Sequence, residues 1–237
     1  MLKRIANNIL SLLYPPKCIF CESPLHHNDS GLLVCSSCYD SLPFTDNHGC
    51  FAGMGDISYI ISPFEYIHPV SDALIRMKFV RRRIYADTLA YFLADYLKHI
   101  SEIGYIDAVI PVPLSDERRR FRDFNQAELL ATAVAKALSL PLDKETLIRT
   151  HNTKAQSYLS QADRAINVHD AFGCVQAVEN MRILLIDDIS TTGATARNCA
   201  KALKAAGAGK IILATVATTV KNYAHEENRR IIPINWT

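Results

Sequence analysis

Two adjacent aspartates lie between an aliphatic run and a hydroxyl-rich turn in the C-terminal third of the chain. Residues 182–195 read RILLIDDISTTGAT. The aliphatic run predicts a fully buried strand over residues 183–186, with Asp187 and Asp188 emerging at its carboxyl end. Two carboxylates at that position can accept hydrogen bonds from the vicinal hydroxyls of a ribose, or help to hold a magnesium shell.

The turn that follows the aspartates has the composition of a phosphate-binding loop. Gly193 permits the backbone to approach a ligand closely, and the N-terminus of the helix predicted after it favours an anion. An ordinary helix cap needs only one hydroxyl residue, whereas this stretch places several around the glycine. We therefore predict a site for a sugar 5-phosphate. Its candidate residues are Asp187, Asp188, Ser190, Thr191, Thr192, Gly193, Ala194 and Thr195.

A second group of residues, with metal-binding spacing, lies near the N-terminus. Five of the seven cysteines fall within residues 18–50, and four of these form the pairs CIFC and CSSC. Each short loop can present two thiolates to one point, so that the two pairs close a tetrahedron around zinc. The predicted ligands are Cys18, Cys21, Cys35 and Cys38. Because protein fills all four positions, we expect the zinc to be structural rather than catalytic.

Other interpretations of the cysteines fit the sequence less well. Disulfide bonds require an oxidising compartment, whereas the apolar residues at the N-terminus recur at helical spacing and predict a small docking helix rather than a signal peptide. A cysteine core is disfavoured by the polar segment between the pairs. Substitute ligands would be His26, His27, His48 and Cys50, each of which fits a surface position better. We therefore expect a cytoplasmic protein, without an apolar run long enough to cross a bilayer.

Composition sets limits without identifying a partner. The 237 residues are 49% hydrophobic, which is enough for one larger domain or two smaller ones. The formal net charge is +2, so no global field favours binding to nucleic acid or membrane. Local clusters must carry any such function, and one of them contains Arg76, Lys78 and the arginines at 81–83. A solvated basic face is the default interpretation of that cluster, and an anion site is the alternative.

Alternating strand and helix patterns predict the scaffold that positions these residues. Residues 57–66 predict one or two strands, and residues 70–100 predict a helix broken near the arginines. Strand, helix, strand, helix and strand follow between residues 106 and 219, with Asn125 as the N-cap of the first helix and Gly207 closing the second. This order predicts an α/β fold with a parallel sheet and helices on both faces. Ligands of such sheets bind at the carboxyl ends of the strands, where the aspartates lie.

The stretch ILLIDDISTTGAT resembles the phosphoribosyl pyrophosphate (PRPP) signature of type I phosphoribosyltransferases. Over nearly its full length the chain is similar to the ComF/GntX family of competence-associated, amidophosphoribosyltransferase-like proteins. The resemblance includes CIFC, CSSC, the MKF segment, DAVIPVPL, FNQAELLA and residues 149–172. It implies a helix and zinc module at residues 1–50, followed by a type I phosphoribosyltransferase-like domain at residues 51–237. Hood elements would occupy residues 51–100 and the core sheet residues 104–220.

The resemblance also implies roles for individual residues. Asp187 and Asp188 would be the catalytic, ribose-binding pair, and residues 149–172 would form a mobile flap over the site. The loop on the pyrophosphate side would be lined by Pro113, Leu114 and Ser115. Weaker candidates for contacts to pyrophosphate or to nucleic acid are Lys78, Arg118, Arg119, Arg120 and Arg122, for which a surface charge run is an equal alternative. The implied reaction is displacement of pyrophosphate from C1 of the sugar by a nitrogen nucleophile, with Mg²⁺ on the pyrophosphate.

One position departs from the family pattern. The family usually has RGFNQ where residues 122–126 here read RDFNQ, so that Asp123 replaces a glycine. Aspartate tolerates a left-handed backbone better than most residues do, but its charge would repel a phosphate that approached closely. The role of this loop is therefore less well defined by the sequence than that of the PRPP signature.

Three classes of function are compatible with these features. The first is a phosphoribosyltransferase, although no residue stands out as a general base. The second is a factor that handles single-stranded DNA during natural competence, with basic clusters tracking the backbone and aromatic rings stacking on bases. The aromatic residues near those clusters are Phe79, Tyr85, Phe121 and Phe124. The third is a sensor that reports PRPP to a partner protein. Phosphoribosyltransferase folds often pair, so an oligomer is compatible with each of them.

Overall fold

The computed structural model describes residues 15–25, 31–45, 50–79, 83–100, 103–114, 124–150 and 171–219. Within these ranges the strands are β1 Cys50–Ala52, β2 Tyr59–Ile61, β3 Phe64–Glu65, β4 Ala108–Pro111, β5 Leu147–Arg149, β6 Phe172–Cys174, β7 Arg182–Ser190 and β8 Lys210–Thr218. The helices are α1 Ser36–Asp40, α2 Val70–Phe79, α3 Tyr85–Lys98, α4 Gln126–Leu138 and α5 Ala194–Ala205. None of the helices in this part of the chain is long and apolar enough to cross a membrane.

The main sheet is parallel apart from one edge. Its strand order is β1-β2-β8-β7-β4, and β3 also pairs with β8. Strands β2, β3 and β7 each run parallel to β8, and β4 runs parallel to β7, whereas β1 is antiparallel to β2. Strands β5 and β6 form a separate antiparallel ladder. The predicted α/β fold with a parallel sheet is thus confirmed.

Helices cover both faces of this sheet, as the sequence predicts. Along β7, Leu184 and Ile186 belong to one hydrophobic cluster with residues of α2, α3 and α4. Ile183 and Leu185 belong to a second cluster with residues of α5. This alternation follows from the two-residue period of a strand, and it explains why β7 is apolar at every position from 183 to 186.

Local signals in the sequence set most of the helix ends. The side chain of Asn125 accepts a hydrogen bond from the backbone N–H of Ala127 at 3.0 Å, which confirms it as the N-cap of α4. The predicted break near the arginines lies between Phe79, where α2 ends, and Tyr85, where α3 begins. Gly207 follows the last turn of α5 with a φ of 96°, a conformation that favours glycine.

Strand β7 is longer than the sequence predicts. Its pairing with β8 continues through Asp187↔Thr215 and ends at Ser190↔Thr218. The predicted strand runs to the aspartates at its carboxyl end, whereas the observed strand continues for two residues beyond Asp188. The reason is β8, which is equally long and supplies backbone partners beyond residue 186.

The N-terminal cysteine region shares a core with the sheet domain. Cys18, Ile19 and Phe20 are at most 2% exposed and belong to the same cluster as Leu184 of β7. Farther along the chain, the ring of Phe44 stacks on that of Tyr96 in α3, with centroids 6.0 Å apart and planes within 4°. The two regions are therefore packed against each other over an apolar surface.

Candidate functional site

A cleft of about 290 Å³, open to solvent, lies at the carboxyl end of β7 and at the N-terminus of α5. It is lined by Asp187, Ile189, Ser190, Thr191, Thr192, Gly193, Ala194, Thr195, Ala196, Leu213 and Thr215. The structure thus brings the predicted loop residues 190–195 together with one of the two predicted carboxylates. The side chains of Thr191, Thr192 and Thr195 belong to exposed residues, so their hydroxyls can reach a ligand.

The loop has a conformation that requires glycine at its centre. Gly193 has a φ of 67°, in the left-handed region. A Cβ at this position would lie 2.8 Å from Sδ of Met54, which sits at the tip of the β1–β2 hairpin. The backbone therefore favours glycine here, and a larger residue would require the end of the Met54 side chain to move.

Backbone and side-chain hydrogen bonds fix the loop at both ends. The carbonyl of Ser190 accepts hydrogen bonds from Oγ1 of Thr218 at 3.1 Å and from the N–H of Thr219 at 3.2 Å. Arg197, in the first turn of α5, donates from Nη1 to the carbonyl of Thr192 at 3.0 Å. The same nitrogen lies 3.0 Å from Sδ of Met54. The loop is preorganised by contacts that the sequence analysis did not identify, since Met54 and Arg197 lie outside the PRPP signature's acidic and hydroxyl residues.

The two aspartates are directed to different sides of β7. Asp187 lines the cleft on the side of α5, and its Oδ1 accepts a hydrogen bond from the N–H of Asp188 at 2.8 Å. The neighbouring strand β4 ends at Pro111, so the N–H of Asp188 lies beyond the end of that ladder. The side chain of Asp188 is on the opposite face and does not line the cleft.

Asp188 forms an ion pair with a residue of the hood. Its Oδ2 lies 2.8 Å from Nζ of Lys78, near the C-terminal end of α2, and the two side chains are only 12% and 17% exposed. Lys78 was a weak sequence candidate for a pyrophosphate contact. The structure places it at this end of β7, bound to one of the predicted ligand-binding carboxylates.

The remaining predicted ligand-binding residues are only partly described. Pro113 and Leu114 follow β4 after Val112 and are half-buried, and the side chain of Asn125 donates to the carbonyl of Val112 at 3.0 Å. Outside the described residues lie Ser115, Arg118, Arg119, Arg120, Arg122, Asp123 and most of the predicted flap at 149–172.

The aromatic residues proposed for base stacking differ in exposure. Phe79 is 57% exposed, whereas Tyr85 is 1% and Phe124 is 6% exposed. The guanidinium of Arg83 lies over the ring of Phe124, 4.9 Å from its centroid. The prediction that Tyr85 and Phe124 are available to stack on nucleic-acid bases is not supported, because packing covers both rings. Phe121 lies outside the described residues.

The four predicted zinc ligands form one cluster. The sulfur atoms of Cys18, Cys21, Cys35 and Cys38 all lie within 4.8 Å of one another. Sγ of Cys21 is 3.7 Å from Sγ of Cys35, and four sulfurs bound at about 2.3 Å to one tetrahedral zinc are about 3.8 Å apart. The first knuckle is closed by the N–H of Glu22, which donates to the carbonyl of Cys18 at 2.9 Å. The residues present therefore fit a structural zinc ion.

The surroundings of the thiols differ within the cluster and outside it. Within the cluster, hydrogen bonds from the side chain and backbone of Ser23 lower the pKa of the Cys21 thiol to about 6, whereas burial raises the pKa values of Cys35 and Cys38. Away from the cluster, burial raises the pKa of Cys174 to about 11 and raises that of Cys199 well above its usual value. Both are thus buried thiols whose surroundings favour the protonated form.

Two family models match separate parts of the chain. Residues 9–53 match the family model described as a double zinc ribbon domain, and residues 125–234 match the phosphoribosyl transferase domain. Adenine phosphoribosyltransferase from Leishmania tarentolae has a similar structure, with 14% identity, a TM-score of 0.41, and coverage of 75% of this chain and 90% of that chain.

Proteins named for DNA utilisation and competence are similar to this chain over much of their length. The DNA utilization protein YhgH of Salmonella typhi is 30% identical over 155 residues, which cover 64% of this chain and 68% of that protein. Competence protein F of Haemophilus influenzae is 28% identical over 214 residues, covering 82% and 93%. Competence protein ComFC of Bacillus subtilis is 35% identical over 147 residues, covering 60% and 56%.

The fold and the two sites define a phosphoribosyltransferase-like protein with an N-terminal zinc ribbon. Within that class, the chain belongs to the ComF/GntX family, which includes the competence and DNA utilization proteins above. The family resemblance predicted from the sequence is confirmed.

Proposed function

We propose that this protein binds PRPP together with Mg²⁺ in the cleft at the end of β7 and has a phosphoribosyltransferase-like role in natural competence and DNA uptake. The observation that carries the proposal is the arrangement of the cleft. The carboxylate of Asp187 faces the same space as the loop hydroxyls and the N-terminus of α5. A sugar phosphate needs acceptors for its hydroxyls and donors for its phosphate, and the cleft offers both.

The parts of PRPP are assigned to parts of the site. The 5-phosphate lies in the loop 190–195, where backbone N–H groups and threonine hydroxyls are donors. The ribose hydroxyls donate to Asp187, which lines the cleft, and Asp188 supports this carboxylate through its backbone N–H. The pyrophosphate lies toward Pro113, Leu114 and Ser115, with Lys78 and the arginines 118–122 as candidate contacts.

The oxygen donors at the site suit Mg²⁺. A hard divalent cation in such sites is bound by one or two carboxylates, water and the substrate's phosphate oxygens. When bound, Mg²⁺ neutralises charge on the pyrophosphate and thereby favours its departure. The member of the predicted acidic pair that would help to hold it is Asp187, because its carboxylate lines the cleft and that of Asp188 does not.

The reaction that suits this arrangement is transfer of the phosphoribosyl group to a nitrogen nucleophile. The nitrogen forms a bond to C1 of the ribose, the bond from C1 to the pyrophosphate oxygen breaks with its electron pair, and the nucleophile loses a proton to solvent. Positioning and charge neutralisation contribute more than a strong base to such a step. The fixed loop, held by Arg197 and Ser190, supports the positioning.

Direct handling of single-stranded DNA is the weaker candidate. Of the aromatic residues suggested for stacking, Tyr85 and Phe124 are buried. The link of relatives to competence supports a role in DNA uptake, and this role can operate through the PRPP site. We therefore favour ligand binding in the cleft over direct handling of single-stranded DNA.

Calorimetry with PRPP and Mg²⁺ tests the binding proposal. We expect the wild-type protein to bind, and Asp187→Asn to weaken binding by about tenfold or more, because it removes a charged acceptor from the cleft. Asp87→Asn is the matched control, since Asp87 is an exposed acid of α3 outside the cleft. Absence of wild-type binding, or equal Kd values for wild type and Asp187→Asn, would reject the proposal.

A second experiment distinguishes transfer from binding alone. The protein is incubated with labelled PRPP, Mg²⁺ and a panel of nucleobases and amines, and pyrophosphate release is measured. Release that depends on one acceptor identifies a transferase. Binding without release for any acceptor supports a role as a PRPP-binding regulator.

A further inference from the structure

The zinc ribbon and the PRPP cleft are joined by one helix of the hood, α2. Its inner face carries Val70, Ala73, Leu74 and Met77, which are all 0% exposed. These residues belong to the same core cluster as Cys18, Ile19 and Phe20 of the first zinc knuckle. The helix is therefore held firmly between the ribbon and the sheet.

In the last turn of α2, on the side that faces the ribbon, Arg76 binds the backbone of the zinc knuckle. Its Nη2 donates to the carbonyl of Ile19 at 2.7 Å and to that of Phe20 at 2.8 Å. These are the two residues between Cys18 and Cys21. Hydrogen bonds from a charged donor are among the stronger ones in proteins, so the position of this arginine depends on the knuckle being folded.

In the same turn, on the side that faces β7, Lys78 binds Asp188. The ammonium lies 2.8 Å from the carboxylate, and both side chains are largely removed from solvent. Residues two apart on a helix point about 200° apart, at about 100° per residue, which is why neighbouring positions reach opposite sides. Asp188 in turn donates its N–H to the carboxylate of Asp187 in the cleft.

A continuous chain of contacts therefore runs from the zinc knuckle to the ligand cleft. It passes from the carbonyls of Ile19 and Phe20 to Arg76, along α2 to Lys78, and then through Asp188 to Asp187. Contiguity alone does not establish coupling; an element with two states is also required. The knuckle is such an element, because zinc sites of this kind fold when the metal binds and unfold without it.

We infer that the zinc ribbon positions the acidic pair of the PRPP site through α2, with Arg76 and Lys78 as positioning residues. The inference rests on the proposed PRPP site and adds a role for the zinc in it. The zinc-bound knuckle holds α2 in place, and the helix thereby positions Lys78. Lys78 in turn fixes the position of Asp188 beside the cleft. The coupling is reciprocal for binding equilibria, so disturbing Lys78 also weakens zinc binding.

Arg76 variants test whether the contact with the zinc knuckle affects PRPP binding. We expect Arg76→Met to raise the Kd for PRPP with Mg²⁺ by about fivefold or more while zinc stays bound. Because a single nitrogen makes both hydrogen bonds, Arg76→Lys should recover most of the affinity. Ile75→Ala is the matched control on the same helix, since Ile75 is 44% exposed, and it should leave the Kd unchanged. If Arg76→Met fails to fold, Arg76→Gln replaces it. A folded, zinc-loaded variant with the wild-type Kd overturns the inference.

A zinc competition assay tests whether the contact of Lys78 with Asp188 affects zinc binding. This assay does not require PRPP. Zinc transfer from the protein to a chromogenic chelator is measured at equilibrium in wild type, Lys78→Met and Val178→Ala. Val178 is 1% exposed and lies in the other core cluster, so its truncation controls for general destabilisation. We expect Lys78→Met to release zinc more readily than Val178→Ala. Equal release by the two variants overturns the inference.

The two experiments separate this inference from the proposed function. A wild-type protein that does not bind PRPP rejects the proposed function, and the zinc assay still decides whether α2 couples the zinc knuckle to the Lys78–Asp188 contact. A wild-type protein that binds PRPP, with Kd values insensitive to Arg76, retains the proposed function and rejects the coupling.

Discussion

Asp187 and Asp188 are consecutive in the sequence, yet their carboxylates lie on opposite faces of β7. Asp187 lines the loop cleft, whereas Asp188 is paired with Lys78 of the hood. The extension of β7 to Ser190 imposes this separation, because successive side chains of a strand alternate. The two aspartates therefore have different neighbours, and substitutions at the two positions should have different effects.

The ion pair between Lys78 and Asp188 predicts non-additive effects on stability. Lys78→Met leaves a largely buried carboxylate without its cation, and we expect it to lower the free energy of unfolding by about 1–3 kcal/mol. Adding Asp188→Asn removes the uncompensated charge and should recover part of that loss. Urea unfolding of wild type, both single variants and the double variant measures the coupling. Strictly additive effects would show that the pair contributes nothing as a pair.

The contact between Gly193 and Met54 predicts a difference between two glycine substitutions. Gly193→Ala and Gly55→Ala both place a side chain in the left-handed region, where alanine costs about 1 kcal/mol. Only at position 193 does the new Cβ meet another side chain, since nothing lies within 4 Å of a Cβ at position 55. We therefore expect Gly193→Ala to be the more destabilising variant in thermal unfolding, and to weaken PRPP binding.

A double variant tests the cause of that difference. In a Met54→Ala background the steric part of the Gly193→Ala effect is removed, and the backbone part remains. The cost of Gly193→Ala should then approach that of Gly55→Ala. An unchanged cost in both backgrounds would mean that Met54 gives way without a penalty.

Because of the cysteine cluster, we expect the stability of the protein to depend on bound metal. A cysteine in the core, outside the cluster, should not affect metal binding. We expect one zinc ion per chain, measured by atomic emission in protein purified without chelator. Cys21→Ser should abolish zinc binding and lower the melting temperature. Because Cys21 is exposed, the loss would reflect the metal and not a disturbed core. Cys174→Ala is the control, since this buried cysteine lies outside the cluster and its variant should retain zinc. Zinc-free wild-type protein would contradict the prediction.

The segment that leads into β5 predicts a pH dependence of stability. Burial alone raises the pKa of Asp143, but hydrogen bonds from the side chain and N–H of Thr146, the N–H of Glu145 and the side chain of Gln176 outweigh it and lower the pKa. A group whose pKa is lowered by folding stabilises the protein above its unfolded pKa, about 3.9 for aspartate, and loses that contribution as the pH falls through the folded value.

Urea unfolding between about pH 3 and pH 6 should therefore show wild-type stability falling on acidification, and a flatter dependence for Asp143→Asn. The amide oxygen of asparagine can still accept from the two N–H groups, so the turn should be retained. Identical pH profiles for the two proteins would contradict the assignment.

Local features of the sequence predicted the elements and the loop. The N-cap at Asn125, the hydroxyl-rich turn around Gly193 and the two cysteine pairs each depend on residues close together in the chain. Helix caps, phosphate loops and zinc knuckles are determined by such short-range chemistry. That is why one sequence is sufficient to locate them.

Contacts between distant segments could not be predicted in the same way. Arg76 binds carbonyls 56 and 57 positions away, and Lys78 binds a carboxylate of β7. A basic cluster on a helix has the same composition whether its members are solvated or bound, and only packing in three dimensions separates the two cases. The extent of β7 likewise depended on the length of its partner β8.

The common core of the ribbon and the sheet determines how the protein unfolds. Cys18, Ile19 and Phe20 are interior to the same cluster as Leu184 and Ile212 of the central strands. Heating should therefore melt the whole chain in a single cooperative transition, without a metal-bearing fragment that survives alone. Proteolytic cleavage between the two parts would yield fragments that remain associated, because each fragment contributes residues to the same hydrophobic core.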